Sequence, residues 1–559
     1  MSNRPSLALA ATLLAPVVSV EAQEIEVLLE EGAVLTTVVP PVTVSGIENP
    51  TANTVGGWAI QFNGDDGITM ADRIYGSVDG ATAPSVFFEQ GTYSVYEQGA
   101  FEFTIGFSDI GASVFSSVCT IGGVEGFDSV WIDTFPVAVE GDPILTLPGK
   151  VWRFASRPSV AAVANQPAFI AGINDVSGAV EGNGLFIGVV PSPLLQSGDI
   201  VPGLPFPLET GSSTDFDFRV SPDGQGFIDP VDMQSGSTSN DFAVVKDGAG
   251  LLIGGQLVRE GSPLPAALQV DPAENWDNFD YFALLDDGTH FFSGDTDLDD
   301  LGLDEIIVKN ESIVVREGDS GGGGFVWEGA IEALTASADG DLAFVWDING
   351  GSDEALGFNG RVILKDSDGI DLDGDGADDG QISSFTGLNS LALSTERKIY
   401  ATVDVDTLGT STTTDDTEVL LEIAIPDLLA SDDSISVSAG GTVDFTLFTR
   451  PGVVTDFYLM AISTSGTSPG LPLGPGLVLP LNPDAFFSLA LAAPDRQPFG
   501  SFFGTVDDLG VGDATFSLPS GSSPVLAGLN ADFAYVTIGV AGGAQVTSVS
   551  NAVGLALLP

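Results

Sequence analysis

Two residue types that build most catalytic and metal centres are almost missing from this chain. It has one cysteine, Cys119, and one histidine, His290. A single cysteine closes no intrachain disulfide. Neither a four-cysteine zinc site nor one of two cysteines and two histidines can be assembled. A three-histidine centre is excluded for the same reason, and a Ser-His-Asp triad could use only His290. Positive charge is also scarce. Lys and Arg total 16 against 78 Asp and Glu, a formal net charge of −62. That balance argues against nucleic acid and anionic membranes as partners. Beyond the N-terminus no apolar run approaches the ~18 residues of a spanning helix, so no membrane span is expected. Helical periodicity is almost absent from the body of the chain.

What is present is apolar and rich in turn residues. Hydrophobic residues make up 43% and charged ones 17% of 559 residues, with 70 glycines and 33 prolines. This is too apolar for a disordered chain and long enough for more than one domain. Residues 1–22 read as a signal peptide. Arg4 precedes an apolar stretch from Leu7 to Val20, and Val20-Glu21-Ala22 ends in a small residue before Gln23. A buried N-terminal helix is the competing reading. Cys119, among Val114, Phe115, Val118 and Ile121, reads as a buried small hydrophobe.

Short apolar or alternating runs are punctuated by Asp-Gly, Asn-Gly and Gly-Gly, the pattern of many short strands. The pattern repeats weakly. An ending recurs as Glu97-Gln98-Gly99, Glu140-Gly141-Asp142, Gln196-Ser197-Gly198-Asp199, Glu260-Gly261-Ser262, Glu317-Gly318-Asp319 and Lys365-Asp366-Ser367-Asp368. Turns at Ser221-Pro222-Asp223-Gly224, Asp286-Asp287-Gly288 and Ala338-Asp339-Gly340 each separate two strands. A last copy runs from Leu391 to Ile425. Four antiparallel strands at a period of roughly 40–60 residues predict propeller blades. The count is about seven over 23–428 and admits six or eight. The segment from Glu24 to Val39 could pair with the last blade and remove the open edges. A β-solenoid and tandem sandwiches are the other all-β readings.

Composition shifts between Asp427 and Ser434. Val437, Val443, Phe445 and Leu447 then alternate with Ser and Thr, so 431–559 reads as a β-sandwich-like domain. The predicted class is therefore all-β, a roughly seven-bladed β-propeller followed by a C-terminal β-sandwich.

The endings Val314-Val315-Arg316-Glu317-Gly318-Asp319, Val258-Arg259-Glu260-Gly261-Ser262-Pro263 and Val139-Glu140-Gly141-Asp142-Pro143 resemble those of a group of uncharacterised secreted bacterial β-propeller proteins. Ser463-Thr464-Ser465-Gly466-Thr467, Leu477-Val478-Leu479-Pro480-Leu481-Asn482, Gly512-Asp513-Ala514-Thr515 and Ser550-Asn551-Ala552-Val553 are similar to a domain that ends many secreted bacterial proteins. These resemblances imply export and fold, and no activity.

Asp371-Leu-Asp373-Gly-Asp375-Gly376-Ala-Asp378-Asp379 is the sharpest local signal. Carboxylates at loop positions 1, 3, 5 and 9 suit Ca²⁺, which takes six to eight oxygens. Ile382 stands where an EF-hand needs its glutamate. The spacing resembles the calcium loops of integrin α chains, which implies Asp371, Asp373, Asp375 and Asp379 as ligands. Gly380-Gln381 departs from the apolar strand that follows such loops. The competing reading is a solvated acidic turn. A second run, Asp295, Asp297, Asp299, Asp300, Asp304 and Glu305, lacks the Asp-Gly bend and reads as an inter-strand loop.

His290 reads as structural, and the tryptophans as packing between blades rather than sugar platforms. No catalytic residue is assigned. The resulting expectation is a secreted or cell-surface, non-enzymatic, monomeric protein, stabilised by Ca²⁺. It would present its scaffold to an unknown extracellular protein or polysaccharide. The alternative is a polysaccharide hydrolase or lyase with an acidic pair in the propeller pocket.

Overall fold

A computed structural model describes residues 24–37, 40–67, 70–93, 96–209, 218–298, 302–350, 353–385, 390–407, 409, 416–450, 457–540 and 543–559. The expected signal peptide, 1–22, lies outside them. The chain is almost wholly β, with one α-helix, Ala485–Ala492, among the described residues.

Seven antiparallel sheets of four to six strands follow one another along the chain. They span 34–89, 92–139, 150–196, 219–250, 276–316, 320–365 and 369–424. Each is laid down as a meander, in which connections of two to ten residues return each strand beside an earlier one. Asp-Gly and Asn-Gly pairs supply the positive φ that these turns need. Gly224 at +71° and Gly288 at +84° occupy the turns expected from the sequence.

Glu24–Glu30 does not join the first sheet. It pairs antiparallel with Thr417–Ala424 and completes the seventh. One inner strand of each sheet touches its counterpart in the next. The series runs Val42–Ala52, Tyr96–Phe107, Lys150–Ala161, Arg219–Val220, Trp276–Leu284, Phe325–Ala336 and Leu391–Leu393, and the last touches the first. The seven strands thus form a closed cycle. Apolar side chains fill the seams between neighbouring sheets, Phe344, Trp346 and Ile399 among them. All six tryptophans are buried in these seams or sheets.

The repeated ending is the joint between sheets. Its third-last residue donates its N–H back to the preceding sheet: Glu140 to Asp128 O, Ser197 to Asn183 O, Glu260 to Phe242 O, Glu317 to Glu305 O and Asp366 to Glu354 O. The next N–H reaches forward: Gly141 to Trp152 O, Gly198 to Leu208 O, Gly261 to Trp276 O, Gly318 to Trp327 O. The glycines have φ of +85°, +87°, +68° and +87°, a region that L side chains enter at a cost. The aspartate that follows caps the turn, as Asp319 Oδ2 does for Arg316 N at 2.8 Å. Gly318→Ala is therefore expected to lower stability by about 1–2 kcal/mol, read from urea unfolding. Its new Cβ would also stand 2.9 Å from Leu303 Cδ2.

One copy of the ending is misplaced in the sequence reading. Gly99 lies inside the strand Tyr96–Phe107. The joint of the first sheet is Glu89-Gln90-Gly91, where Gln90 N donates to Asp72 O. The tripeptide Glu-Gln-Gly occurs at both places, and only the long-range hydrogen bond distinguishes them.

Sheet membership changes between Ala424 and Leu428. Leu428–Ala430, Gly441–Phe448, Val511–Leu518 and Phe499–Gly500 form one further sheet. Ser434–Ser436, Val553–Leu558, Asn530–Gly539, Phe457–Ser463 and Phe503–Gly504 form the backbone of another, with Gln545–Val549 on its flank. The two share a core that includes Val443, Phe445, Leu447, Met460, Phe533 and Leu555. Of the apolar alternation read in the sequence, Val443, Phe445 and Leu447 form the inner face of the first, and Val437 reaches the same core beside the second. Asp484 caps the helix by accepting from Phe487 N at 2.8 Å.

This C-terminal region is packed onto the sixth and seventh sheets. Phe448, Leu509 and Val511 belong to their core, and the Phe448 and Phe358 rings meet edge to face at 5.1 Å. Beside them Arg397, 3% exposed, donates Nε to Asp341 Oδ2 at 2.9 Å and one Nη to Asp427 Oδ1 at 2.9 Å. The same guanidinium reaches Phe448 O at 3.0 Å and Thr449 O at 2.6 Å.

Candidate functional site

The loop 371–379 bulges between Gly369–Ile370 and Gly380–Phe385 at the start of the seventh sheet. Glycines make the bend possible: φ is +75° at Gly374 and +90° at Gly376, and neither has a heavy atom within 4 Å of where a Cβ would stand. The carboxylates turn inward. Asp371 Oδ2 accepts from Gly376 N at 2.6 Å and its Oδ1 from Gly374 N at 2.7 Å. Asp379 Oδ2 accepts from Leu372 N and Asp373 N at 2.9 and 3.2 Å. The Gly376 hydrogen bond, foremost, holds the Asp371 carboxyl below its ordinary range.

Of the four expected ligands, Asp371, Asp373 and Asp379 each bring a carboxylate oxygen within 4.8 Å of the others. Asp375 is not in that group; its Oδ1 accepts from Ala377 N at 2.9 Å. Three anionic oxygens this close, on a hairpin fixed by backbone hydrogen bonds, are a donor set that fits a hard divalent cation. Gly380, which looked out of place in the sequence, lies against the next strand. A Cβ there would be 2.6 Å from Val405 Cγ1. The apolar strand begins with buried Ile382 two residues later.

The second acidic run divides. Asp297 is structural, taking Asn275 N and Asn275 Nδ2 at 2.7 Å each. Asp299 and Asp300 lie outside the described residues. Asp295 and Glu305 meet Asp280 from the neighbouring strand, with oxygens of all three within 4.8 Å. Burial, and then the Asp295 carboxylate, push the Glu305 carboxyl far up. Asp280 escaped notice because its partners lie elsewhere in the sheet, Asp295 on the next strand and Glu305 just before the one after it. The residues meet only through the register of His290–Thr296 with Trp276–Leu284, which two bulges shift, and with Ile306–Lys309.

A cavity of about 210 Å³ lies inside the cycle of inner strands, lined by residues from all seven sheets. Its polar groups include Asn49, Thr51, Thr104, Ser159 and Thr335, and its walls include Val160, Phe282 and Leu391. Arg219 is the charged residue among the described lining. No Asp or Glu belongs to that described lining, so the acidic pair of a pocket hydrolase is not found there.

His290 lies on the fifth sheet, 7% exposed, with Nδ1 3.3 Å from Gly288 O. Burial, first of all, pulls its pKa down and so favours the neutral ring. Cys119 is buried, and burial first of all pushes its thiol up, away from reactivity.

No protein-family profile matches the chain, and no curated protein matches it. Among solved structures the chain is similar to one from a study of two prolyl endopeptidases, at 11% identity and a TM-score of 0.34. That match covers 86% of this chain and 62% of the other. The chain thus spans under two thirds of the length of that relative. It is also similar to a protein of unknown function from Dyadobacter fermentans, at 11% identity, TM-score 0.26, covering 73% of this chain and all of that one. A third likeness, to the N-terminal domain of the Streptococcus gordonii adhesin Sgo0707, has 8% identity and a TM-score of 0.13 over 80% of this chain and all of that one. At these scores none of the three bears on activity.

Proposed function

We propose that this is a secreted, non-enzymatic scaffold: a seven-bladed β-propeller with a C-terminal β-sandwich, stabilised by calcium, that presents its loops to an extracellular protein or polysaccharide. The observation that carries the reading is the closed cycle of inner strands around a cavity whose described lining is neutral apart from Arg219. A pocket built for acid-base hydrolysis needs two carboxylates at the chemistry. Here no Asp or Glu is among the described residues that line the cavity. The sparse histidine and cysteine, and the buried tryptophans, support the same reading.

In this proposal Asp371, Asp373 and Asp379 hold Ca²⁺, and Asp375 joins when Ala377 N releases its carboxylate. The ion's chemistry is structural: it offsets the mutual repulsion of the loop. Binding to the folded loop alone stabilises by about 2.7 kcal/mol at a hundredfold excess over Kd. Millimolar Ca²⁺ is expected to raise Tm more than Mg²⁺ at matched ionic strength, because Mg²⁺ gives up its waters reluctantly. Asp373→Ala should abolish the calcium-specific part and keep the general salt response. Equal calcium gains in wild type and Asp373→Ala would reduce the loop to a solvated turn. Incubation with a polysaccharide panel tests the rest, with no release of sugars as the expected result.

A further inference from the structure

We propose that the outer edge of the seventh sheet is a strand-exchange site, and that its occupant, Glu24–Glu30, is also supplied by a second copy of this chain. The first observation is in the sequence. Glu26-Val27-Leu28-Leu29-Glu30 and Glu418-Val419-Leu420-Leu421-Glu422 are the same pentapeptide. The second is that these two segments are each other's partners. They pair antiparallel, Glu26 opposite Glu422, Val27 opposite Leu421, Leu29 opposite Leu420 and Glu30 opposite Val419. Identical segments paired antiparallel make a homotypic code: each strand offers the edge that it recognises.

The resident strand is held incompletely. Leu29 is its one fully buried residue, and Glu24 and Glu26 are exposed. The register slips between Val27 and Leu29, which leaves Leu28 out of the ladder. Glu26 stands opposite Glu422, whose carboxylate is already paired with Lys398 at 2.5 Å, so the exposed Glu26 adds no attraction to the strand pair. The connection to the first sheet, residues 31–33, is short, and backbone hydrogen bonds hold its turn. Glu31 N bonds Glu418 O, Gly32 N bonds Val44 O and Ala33 N bonds Glu30 O. Gly32 has φ +84° and no heavy atom within 4 Å of a Cβ position, so a change of direction there meets no wall.

A strand that crosses to a second copy finds the same slot. Every ladder bond and apolar contact is reproduced, and only the connection differs, so concentration and charge set the balance. Two chains at −62 repel. Screening shortens that repulsion from a Debye length of about 8 Å at 0.15 M salt to about 3 Å at 1 M. The exchanged dimer is therefore a high-salt, high-concentration species, and the monomer prevails in dilute, low-salt solution.

The test places cysteines at the opposed pair, Glu26→Cys with Glu422→Cys, in a Cys119→Ser background. Protein is concentrated in 1 M NaCl, oxidised and run on a non-reducing gel, with light scattering in parallel. Expected is a dimer joined by interchain disulfides, its fraction rising several-fold with concentration and with salt. A sample oxidised first at high dilution carries the bond within one chain and should remain monomeric. Intrachain bonds alone at every concentration would overturn the proposal, as would a dimer that the locked monomer forms equally well. Wild type serves if the variant fails to fold: light scattering that finds monomer alone at the highest concentration in 1 M NaCl is equally fatal.

Discussion

Replacing Arg397 with methionine is expected to cost about 3–5 kcal/mol, the range for breaking a buried ion pair while its partner charges stay behind. The guanidinium directs all five of its N–H groups at acceptors: two at Asp341, one each at Asp427, Phe448 O and Thr449 O. Asp341 has one other side-chain partner, Asn359 Nδ2 at 2.8 Å. Without the cation Asp341 is a buried carboxylate, 1% exposed, with a single neutral donor. The carbonyls of Phe448 and Thr449 are left short as well, although Tyr535 Oη still donates to Phe448 O at 2.9 Å. These acceptors belong to the sixth sheet and to the C-terminal region, so the loss falls on the joint between them. Calorimetry should then resolve two transitions where wild type gives one, the C-terminal region melting first. Arg397→Met with Asp341→Asn should cost less than the sum of the single changes, because the pair acts as a unit. A melting curve for Arg397→Met that overlays wild type would mean that Phe448, Leu509 and Val511 hold the joint unaided.

Acidification from pH 8 to pH 5 is expected to stabilise the protein. Burial, first in every case, pushes up the carboxyls of Glu260, Asp347, Glu354, Asp366, Asp404 and Glu418. Asp366 reaches about 6. A group whose native pKa lies above its unfolded one contributes stability in full below the unfolded value. It loses that contribution as pH rises through the native value. For Asp366 the window runs from about pH 4 to about pH 6. Discounted for solvent screening, its share is about 1–2 kcal/mol. Asp371 and Asp223 act in the opposite sense. Backbone N–H groups, from Gly376 and Gln225 respectively, hold them low, and their contribution fades as pH falls through their native values. The optimum should therefore lie between about pH 4 and pH 6. Melting temperatures at fixed ionic strength between pH 4 and 8.5 give the measurement. Asp366→Asn should flatten the limb around pH 6. A wild-type curve that rises towards pH 8 would reverse the sign of the argument.

How much of this was legible in the sequence depended on whether a feature was local. Strand content and turns were, because Asp-Gly punctuation and apolar alternation act within a few residues. Val443, Phe445 and Leu447 alternate in the sequence and share one buried face of a strand, and Val437 enters the same core from the other sheet. Three of the four aspartates expected as ligands gather because their spacing sets the geometry, whereas Asp375 turns to a backbone N–H that spacing cannot foresee. Features made by distant pairing were less readable. The joint at Gly91 was confused with Gly99 because both follow Glu-Gln. Asp280 was missed because strand register alone brings it to Asp295 and Glu305. Arg397 showed nothing in the sequence that set it apart from any other arginine beside a turn.

The hydrogen bond from Ile47 N to Glu418 Oε2, 2.8 Å long, joins residues 371 positions apart across the seam between the first and seventh sheets. That separation is also an interval of time. A ribosome adding about 5–20 residues per second takes roughly 20–70 s to travel it. Through that interval the first sheet has no neighbour on one side, and Leu29 and Val42 wait for Leu420, which shares their core. Contacts this remote along the chain place the protein among slow folders. The seam is where an unfinished chain stays sticky longest, and where a chaperone has most to cover.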